Sequence, residues 1–466
     1  MTEEKTARPH RARPESLEAL GFPGELPEDW QQRAVAALGR RVRKQPDLRF
    51  FLNACVKCGA CNDACHAFLG TGDPGNRPVA RQDLLRAVHR RHFTLAGRLF
   101  PKLVGALDLD EAMLERWYSY FHQCSECRRC ATFCPFGIDT AEITMAARSI
   151  LAEIGLGQKS VAEVIAKVHR TGNNLGLNPR ALRHTLDSLE EDVREETGMD
   201  IRFPLDEAGA DILLVTPSAD FYSEPHVSGL IGYAKVLHAA GISWTLSSHA
   251  SEAANFALFL GSDEHMRRIA RRIQEAAEEL GTSRLVFGEC GHAWRVAYNF
   301  PALLGGDVPR PRHILDLTHE LIGNGIIRLD PSRNAGMAVT LHDSCNVARG
   351  SGMGVHPGGQ LDIPRAVLAA AVPRTVEMPA GTTGDRTFCC GGGGGLLTDE
   401  MMEIRIKGAA PRAAALRQAV EGSGATHMAA ICAICKSQFS EVLPHHGFDR
   451  GMVVGIMQLV GRALVL

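Results

Sequence analysis

Two runs of four cysteines constrain this chain more than any other feature. The first is Cys55-Val-Lys-Cys58-Gly-Ala-Cys61-Asn-Asp-Ala-Cys65, and the second is Cys124-Ser-Glu-Cys127-Arg-Arg-Cys130-Ala-Thr-Phe-Cys134-Pro135. Both have the spacing C-x2-C-x2-C-x3-C. Three thiolates set this closely wrap one face of a polynuclear centre, and soft sulfur donors suit iron. Zinc takes four thiolates, often as paired C-x2-C units, so two intact four-cysteine runs favour two [4Fe–4S] cubanes. In two-cluster proteins the fourth cysteine of each run usually binds the other cluster. The expected ligand sets are Cys55, Cys58, Cys61 and Cys134 for one cubane, and Cys124, Cys127, Cys130 and Cys65 for the other. His66 stands where the second run has Pro135, and is expected to be solvated.

The other cysteines, of 14 in 466 residues, strengthen a metal reading over disulfides, because the N-terminus has no apolar core that would make it an export signal. The net charge of -2 and the lack of a basic patch interleaved with aromatics argue against nucleic-acid binding. The most apolar stretch, 451–466, is too short to span a bilayer and carries Gln458 and Arg462. It is expected to pack as a terminal strand or helix, and the chain is expected to have no transmembrane segment.

Periodicity divides the chain. Residues 1–28 are polar and read as a flexible tail. Residues 29–200 read as a mainly helical, ferredoxin-like two-cluster domain, with helical patterns at about 28–44, 81–93, 108–121 and 140–196. Beyond 205 short apolar runs alternate with helices. Strands are expected at Ile212–Thr216, Ile242–Leu246, Leu285–Phe287, Val339–Leu341 and Met428–Ile431. Helices are expected at Asp263–Leu280 and Met401–Val420, the second kinked or split at Pro411. This alternation predicts an α/β domain with a largely parallel sheet. The blocks Met266–Trp294 and Pro411–Ser437 share a layout of helix, Gly turn, short strand and cysteine. They align Cys290 with Cys432 and Ala293 with Cys435. The α/β domain is therefore expected to comprise two related halves, 205–330 and 331–466.

Five cysteines lie in the last third: Cys345, the adjacent Cys389-Cys390, and Cys432-x-x-Cys435. Gly391 to Gly395 follow the pair directly, and residues without Cβ atoms let backbone N–H groups approach a ligand. Gly391 and Gly392 are the candidate cofactor-approach positions. The pattern His342-Asp343-Ser344-Cys345, Phe388-Cys389-Cys390-Gly391-Gly392 and Cys432-Ala433-Ile434-Cys435 resembles the CCG cysteine-rich domain of heterodisulfide reductases and their relatives. Over about residues 50–460 the chain resembles the DsrK-type subunits of the membrane complex linked to dissimilatory sulfite reductase. The phrases 53–66, 124–145 and 288–298 carry that likeness.

The resemblance implies that Cys345, Cys389, Cys390, Cys432 and Cys435 hold a non-cubane [4Fe–4S] centre that performs thiol–disulfide chemistry. The family has two full CCG motifs; here the first half is degenerate, lacking its cysteine pair and keeping only Cys290. One special centre is therefore implied. Cys290, with His292 beside it, becomes a candidate substrate-facing thiol, since an imidazole favours thiolate. His342 and Asp343 are candidates to orient the centre or supply protons. The family further implies a disulfide or trisulfide on a small sulfur-carrier protein of the DsrC type as substrate. It also implies a membrane-embedded, quinone-interacting partner of the DsrM type, and a location on the cytoplasmic face of the membrane. Two other readings share the motifs: the iron–sulfur subunit of a glycolate or glycerol-3-phosphate dehydrogenase, and an electron-relay subunit without catalysis of its own.

Overall fold

The computed structural model describes residues 7–306 and 308–466. They form two compact units, neither of them a single stretch of chain. The first contains the chain up to Ala166, Phe256–Ser262 and Phe388–Arg412; the second contains Lys167–Asn255, Asp263–Thr387 and Ala413–Leu466. The boundary expected near 200 is not where the two units divide. The segment 167–200 belongs to the second unit, and the segment carrying Cys389 and Cys390 belongs to the first.

The first unit is helical. Helices Trp30–Lys44, Pro78–Phe93, Glu111–His122 and Thr140–Glu153 surround a core that includes Leu38, Leu85, Trp117, Phe121 and Ile150. Their apolar residues recur at helical spacing, as in Ala34, Leu38 and Val42, so each helix buries one stripe. Asp110 Oδ1 accepts the Met113 N–H at 2.8 Å, and Asp139 Oδ1 the Ala141 N–H at 2.8 Å. These caps satisfy N–H groups that have no partner within the helix and fix where the third and fourth helices begin.

The flexible tail expected over 1–28 requires correction for its described part, residues 7–28. Leu17 is fully buried. The Ala12 N–H donates to Gly157 O at 2.8 Å, and the Lys159 N–H to His10 O at 2.9 Å. Arg8 and Arg11 both pair with Glu115. A Cβ on Gly157 would lie 2.6 Å from Leu17 Cδ2, so that glycine opens the seat the segment needs. Residues 1–6 lie outside the described residues.

The second unit contains two four-stranded parallel sheets. The first is built from β1 (Ile212–Val215), β2 (Trp244–Thr245), β3 (Arg284–Phe287) and β4 (Arg312–His313), in the order β2-β1-β3-β4. The second is built from β5 (Ala338–His342), β6 (Arg374–Val376), β7 (His427–Ala430) and β8 (Val453–Val454), in the order β6-β5-β7-β8. The two sheets have one topology, each strand of the second taking the place of the strand four earlier. Strands β1 and β5 are buried along their whole length; helices cover both faces of a parallel sheet, so continuous apolar runs replace alternation. All five expected strands are present. The helix Met402–Ser423 is not split at Pro411, where a kink or split was expected. Pro411 cannot donate to the Lys407 carbonyl one turn earlier; that carbonyl instead lies against Gly70, where a Cβ would come within 1.9 Å of it.

Residues 451–466 end the chain as β8 and the helix Ile456–Ala463, both mostly buried. No helix among the described residues is long and apolar enough to cross a membrane.

Candidate iron–sulfur and thiol sites

The structure sorts the eight N-terminal cysteines into two cavities. One is lined by Cys55, Cys58, Cys61 and Cys134, with Val79, Gln82 and Ile138 among its walls. The other is lined by Cys65, Cys124, Cys127 and Cys130, with His66, Pro78 and Arg81. The last cysteine of each run thus crosses to the other run's cavity. The crossing follows from local geometry. Cys65 N-caps the short helix His66–Thr71, and the cavity it lines is the one of the second run. Lys57, Glu126 and Arg128 take left-handed φ values of 58°, 55° and 61°. Such backbone is costly for non-glycine residues and persists where a function holds it in place; here it turns successive Sγ atoms toward one centre.

The donor chemistry fits iron–sulfur clusters. Burial, with the neighbouring Cys134 and Cys55, pushes the Cys61 thiol up to about 11. Burial also raises Cys124 and Cys130. Crowded buried thiols keep their protons unless a cation replaces them, so metal binding must release protons. Arg81 is buried beside the second cavity. Its desolvation is outweighed by the charges of Cys124, Cys65 and Cys130, which raise its pKa. Arg81 Nη2 donates to Asn76 Oδ1 at 2.7 Å, and Nε donates to Tyr120 O at 2.8 Å. A fixed cation against four thiolates offsets the negative charge of a loaded site.

His66 is buried, contrary to the solvated position expected for it. Its Nδ1 donates to Gly408 O at 2.9 Å, and its Nε2 lies 2.6 Å from Ser125 Oγ. Burial lowers its pKa, but the charge of Cys389 and a hydrogen bond to it outweigh burial and raise it. The ligand atoms of His66, Cys127 and Cys389 lie within 4.8 Å of one another. Cys389 of the adjacent pair therefore sits beside the second cavity, with His66 in contact with both.

The glycine run is clamped to the same place. Gly391 N–H donates to Cys389 Sγ two residues earlier at 3.4 Å; Gly392 is buried beside it. At Gly394, φ is 63° and a Cβ would lie 2.7 Å from Cys124 O. Arg148, fully buried, pairs with Glu126 at 2.8 Å and donates to Gly394 O at 2.7 Å and to Cys124 O at 2.6 Å. The Arg129 guanidinium lies 3.7 Å from the Phe388 ring centroid and donates to Ala64 O at 3.0 Å. Sequence reasoning missed Arg81, Arg129 and Arg148. Their only sequence signal was an arginine within or near each cysteine run.

In the second unit, Cys290 and Cys432 occupy equivalent positions. Each N-caps the helix after the third strand of its sheet, Gly291–Tyr298 and Ala433–Val442. Their backbones agree closely, with φ/ψ of -137°/109° and -140°/126°. The two buried side chains are hydrogen-bonded, which lowers Cys432 well below the usual thiol range and raises Cys290 well above it. Cys435 and His292 also bond Cys432, with His292 Nδ1 at 3.7 Å from its Sγ. Cys345 begins the helix Cys345–Gly350 after β5, which pairs with β7. Cys345 and Cys432 thus leave the carboxyl ends of adjacent parallel strands, where α/β folds place ligands. Packing is close here, since a Cβ on Gly291 would lie 2.2 Å from Ser344 Oγ.

Asp343 does not face the thiols. It binds Arg365 in a bidentate pair at 2.8 and 2.9 Å and accepts the Gly384 N–H at 2.7 Å. His342 packs edge-on to Phe439, centroids 4.7 Å apart. A buried polar group lies farther along the same unit: Lys436 Nζ is 3.1 Å from Glu289 Oε2, and Thr216 bonds Asp220. Burial raises Asp220 to about 7 and Glu252 to about 7.

Residues 51–138 match the family model of the 4Fe-4S dicluster domain. The chain is an iron–sulfur oxidoreductase subunit of the heterodisulfide-reductase-related class. It is 38% identical to the Hdr-like menaquinol oxidoreductase iron-sulfur subunit 2 of Archaeoglobus fulgidus, over 95% of this chain and 85% of that protein. It is 37% identical to the corresponding iron-sulfur subunit of Archaeoglobus profundus, over 95% and 84%. A subunit of the dihydromethanophenazine:CoB–CoM heterodisulfide reductase of Methanosarcina barkeri is 28% identical over 89% of this chain and 94% of its own length. No solved structure matches. The chain belongs to the family of Hdr-like menaquinol oxidoreductase iron–sulfur subunits.

Proposed function

We propose that this chain is the thiol–disulfide oxidoreductase subunit of a membrane-linked complex, of the DsrK type, with a quinone-interacting membrane partner of the DsrM type. Electrons pass between that partner and a disulfide or trisulfide on a small sulfur-carrier protein of the DsrC type. The names of the relatives support menaquinol as the quinone, and the reaction takes place on the cytoplasmic face of the membrane. Bound in the two cysteine cavities, [4Fe–4S] clusters supply one-electron carriers, and a further non-cubane cluster on Cys345, Cys389, Cys390, Cys432 and Cys435 supplies the two-electron sulfur chemistry.

One observation carries the reading: Cys389 lies against His66 and Cys127 of the second cavity. Cys389, one of the five cysteines attributed to the reactive centre, thereby lies beside the proposed relay. Cys58 is the exposed thiol of the first cavity, so that cavity is the one open to an external electron partner. Reducing a disulfide to two thiols consumes two electrons and two protons. Cys290 and His292, both buried against Cys432, are the groups placed to exchange protons with it.

The test is Cys345→Ser in the anaerobically purified complex. The reading expects both cubane signals to remain while reduction of the carrier disulfide by quinol falls by about a hundredfold or more. Unchanged electron flow to the disulfide would leave only the relay reading.

A further inference from the structure

Between the two cysteine runs, the chain inserts a hairpin of two short helices, Leu95–Leu99 and Pro101–Val104. Five of the sixteen exposed large apolar side chains among the described residues lie on this hairpin and the turn after it: Leu95, Leu99, Phe100, Leu103 and Leu107. Leu103 is 84% exposed and Leu95 74%. A clustered apolar patch of this kind marks an interaction surface, whereas scattered leucines do not.

The exposure is built in. Thr94 Oγ1 accepts the Gly97 N–H at 3.0 Å and donates to Arg90 O at 2.8 Å. Gly97 presses onto the preceding helix so tightly that a Cβ would lie 1.9 Å from Arg90 O. Arg90 Nη1 donates to Val104 O at 2.9 Å, and the Leu107 N–H to Ala87 O at 3.2 Å. These ties hold the hairpin against the helix Pro78–Phe93 while its leucines point outward.

Charge decides what covers the patch. Arg98 and Lys102 are exposed among the leucines. Beside the hairpin opens a groove lined by Val35, Ala36, Phe93 and Leu109, with Arg40, Arg43 and Asp108 also on its walls; Arg40 is paired with Glu153 at 2.6 Å, which leaves Arg43 as the groove's open cation among the described residues. Of the nearby acids, Asp108 pairs with Arg91 at 2.8 Å and Asp110 caps a helix, leaving Glu111 exposed against Arg98, Lys102 and Arg43. Apolar side chains at the tip with cations around them are the signature of an element lying in the headgroup region of an anionic bilayer.

We propose that this hairpin seats the subunit directly on an anionic lipid bilayer, its leucines entering the interface and Arg98, Lys102 and Arg43 meeting lipid phosphates. This goes beyond the electron-transfer reading, because the contact is made with lipid and does not need a partner protein.

The test uses the full-length, cluster-loaded chain without partners, sedimented with phosphatidylcholine vesicles that contain or lack phosphatidylglycerol. Binding is expected to the anionic vesicles and to weaken at least about fivefold without phosphatidylglycerol. The double variant Leu99→Glu/Leu103→Glu is expected to lower vesicle binding roughly tenfold or more, with iron content and disulfide reduction in solution unchanged. A charge variant, Arg98→Glu/Lys102→Glu, keeps the apolar tip and is expected to lose the phosphatidylglycerol dependence. Absence of vesicle binding by the wild-type chain, equal binding by the leucine variant, or binding only to vesicles that contain the membrane partner would overturn the proposal. Loss of disulfide reduction with vesicle binding intact would instead count against the proposed function.

Discussion

Replacing Arg148 with Met tests whether the glycine run is locked to the second cysteine cavity. Arg148 and Glu126 are each 1% exposed and lie 2.8 Å apart. The same guanidinium donates to Gly394 O, Cys124 O, Phe121 O and Phe259 O. Met fills much of the volume but leaves Glu126 buried without its cation. Removing one partner of a buried pair costs about 3–5 kcal/mol. Melting shifts by about 2–4 °C per kcal/mol for a cooperative unit of roughly 200 residues, the size of the first unit. The expected fall in melting temperature is therefore about 6–20 °C, read by anaerobic calorimetry on cluster-loaded protein. Adding Glu126→Gln removes the stranded charge and is expected to restore more than half the loss. A melting temperature within about 1 °C of wild type, or no rescue by Glu126→Gln, would refute the reasoning.

The crossed cavities predict that Cys134→Ser perturbs the cluster of the first run and spares that of the second, with Cys65→Ser doing the reverse; EPR of the two variants checks this. Gly394→Ala forces a Cβ toward Cys124 O at a positive φ and is expected to reduce cluster content measurably by iron analysis, whereas Gly336→Ala, with open space around it, tests φ strain alone. Burial raises Asp220 from the ordinary carboxylate range to about 7. A raised acid stabilises the fold below about pH 4, its unfolded value, and that contribution is lost as pH climbs to about 7. Asp220→Asn is therefore expected to flatten the decline in urea midpoint between about pH 4 and pH 7; an equal decline in the variant would exclude Asp220 as its source.

What the sequence disclosed follows the reach of each interaction. The cysteine runs were legible because ligand spacing is local, and the crossing of Cys65 and Cys134 was expected from the same spacing. The five strands were legible because runs such as Ile212–Val215 are buried on both faces and carry no polar alternation. His66 was misread because Gly408 and Cys389, which bury it, lie more than three hundred residues onward. Leu17 was misread likewise, since nothing local shows that Gly157 leaves it a seat. The charged partners Arg81 and Arg148 were hidden for the same reason: an arginine on a helix reads as a solvated face until distant carbonyls and thiolates surround it. The assignment of the cysteine pair to the first unit has no signal in the sequence, because the chain returns to that unit after leaving it twice.

The proposed function requires that cysteine sulfur from the two N-terminal runs and from the C-terminal constellation gather iron into three centres. Iron and acid-labile sulfide counted per chain, with EPR of the oxidised and reduced states, test it most directly on anaerobically purified protein. About twelve irons are expected, falling to about eight in Cys345→Ser with both cubane signals retained. A wild-type count of about eight, unchanged by that substitution, would contradict it.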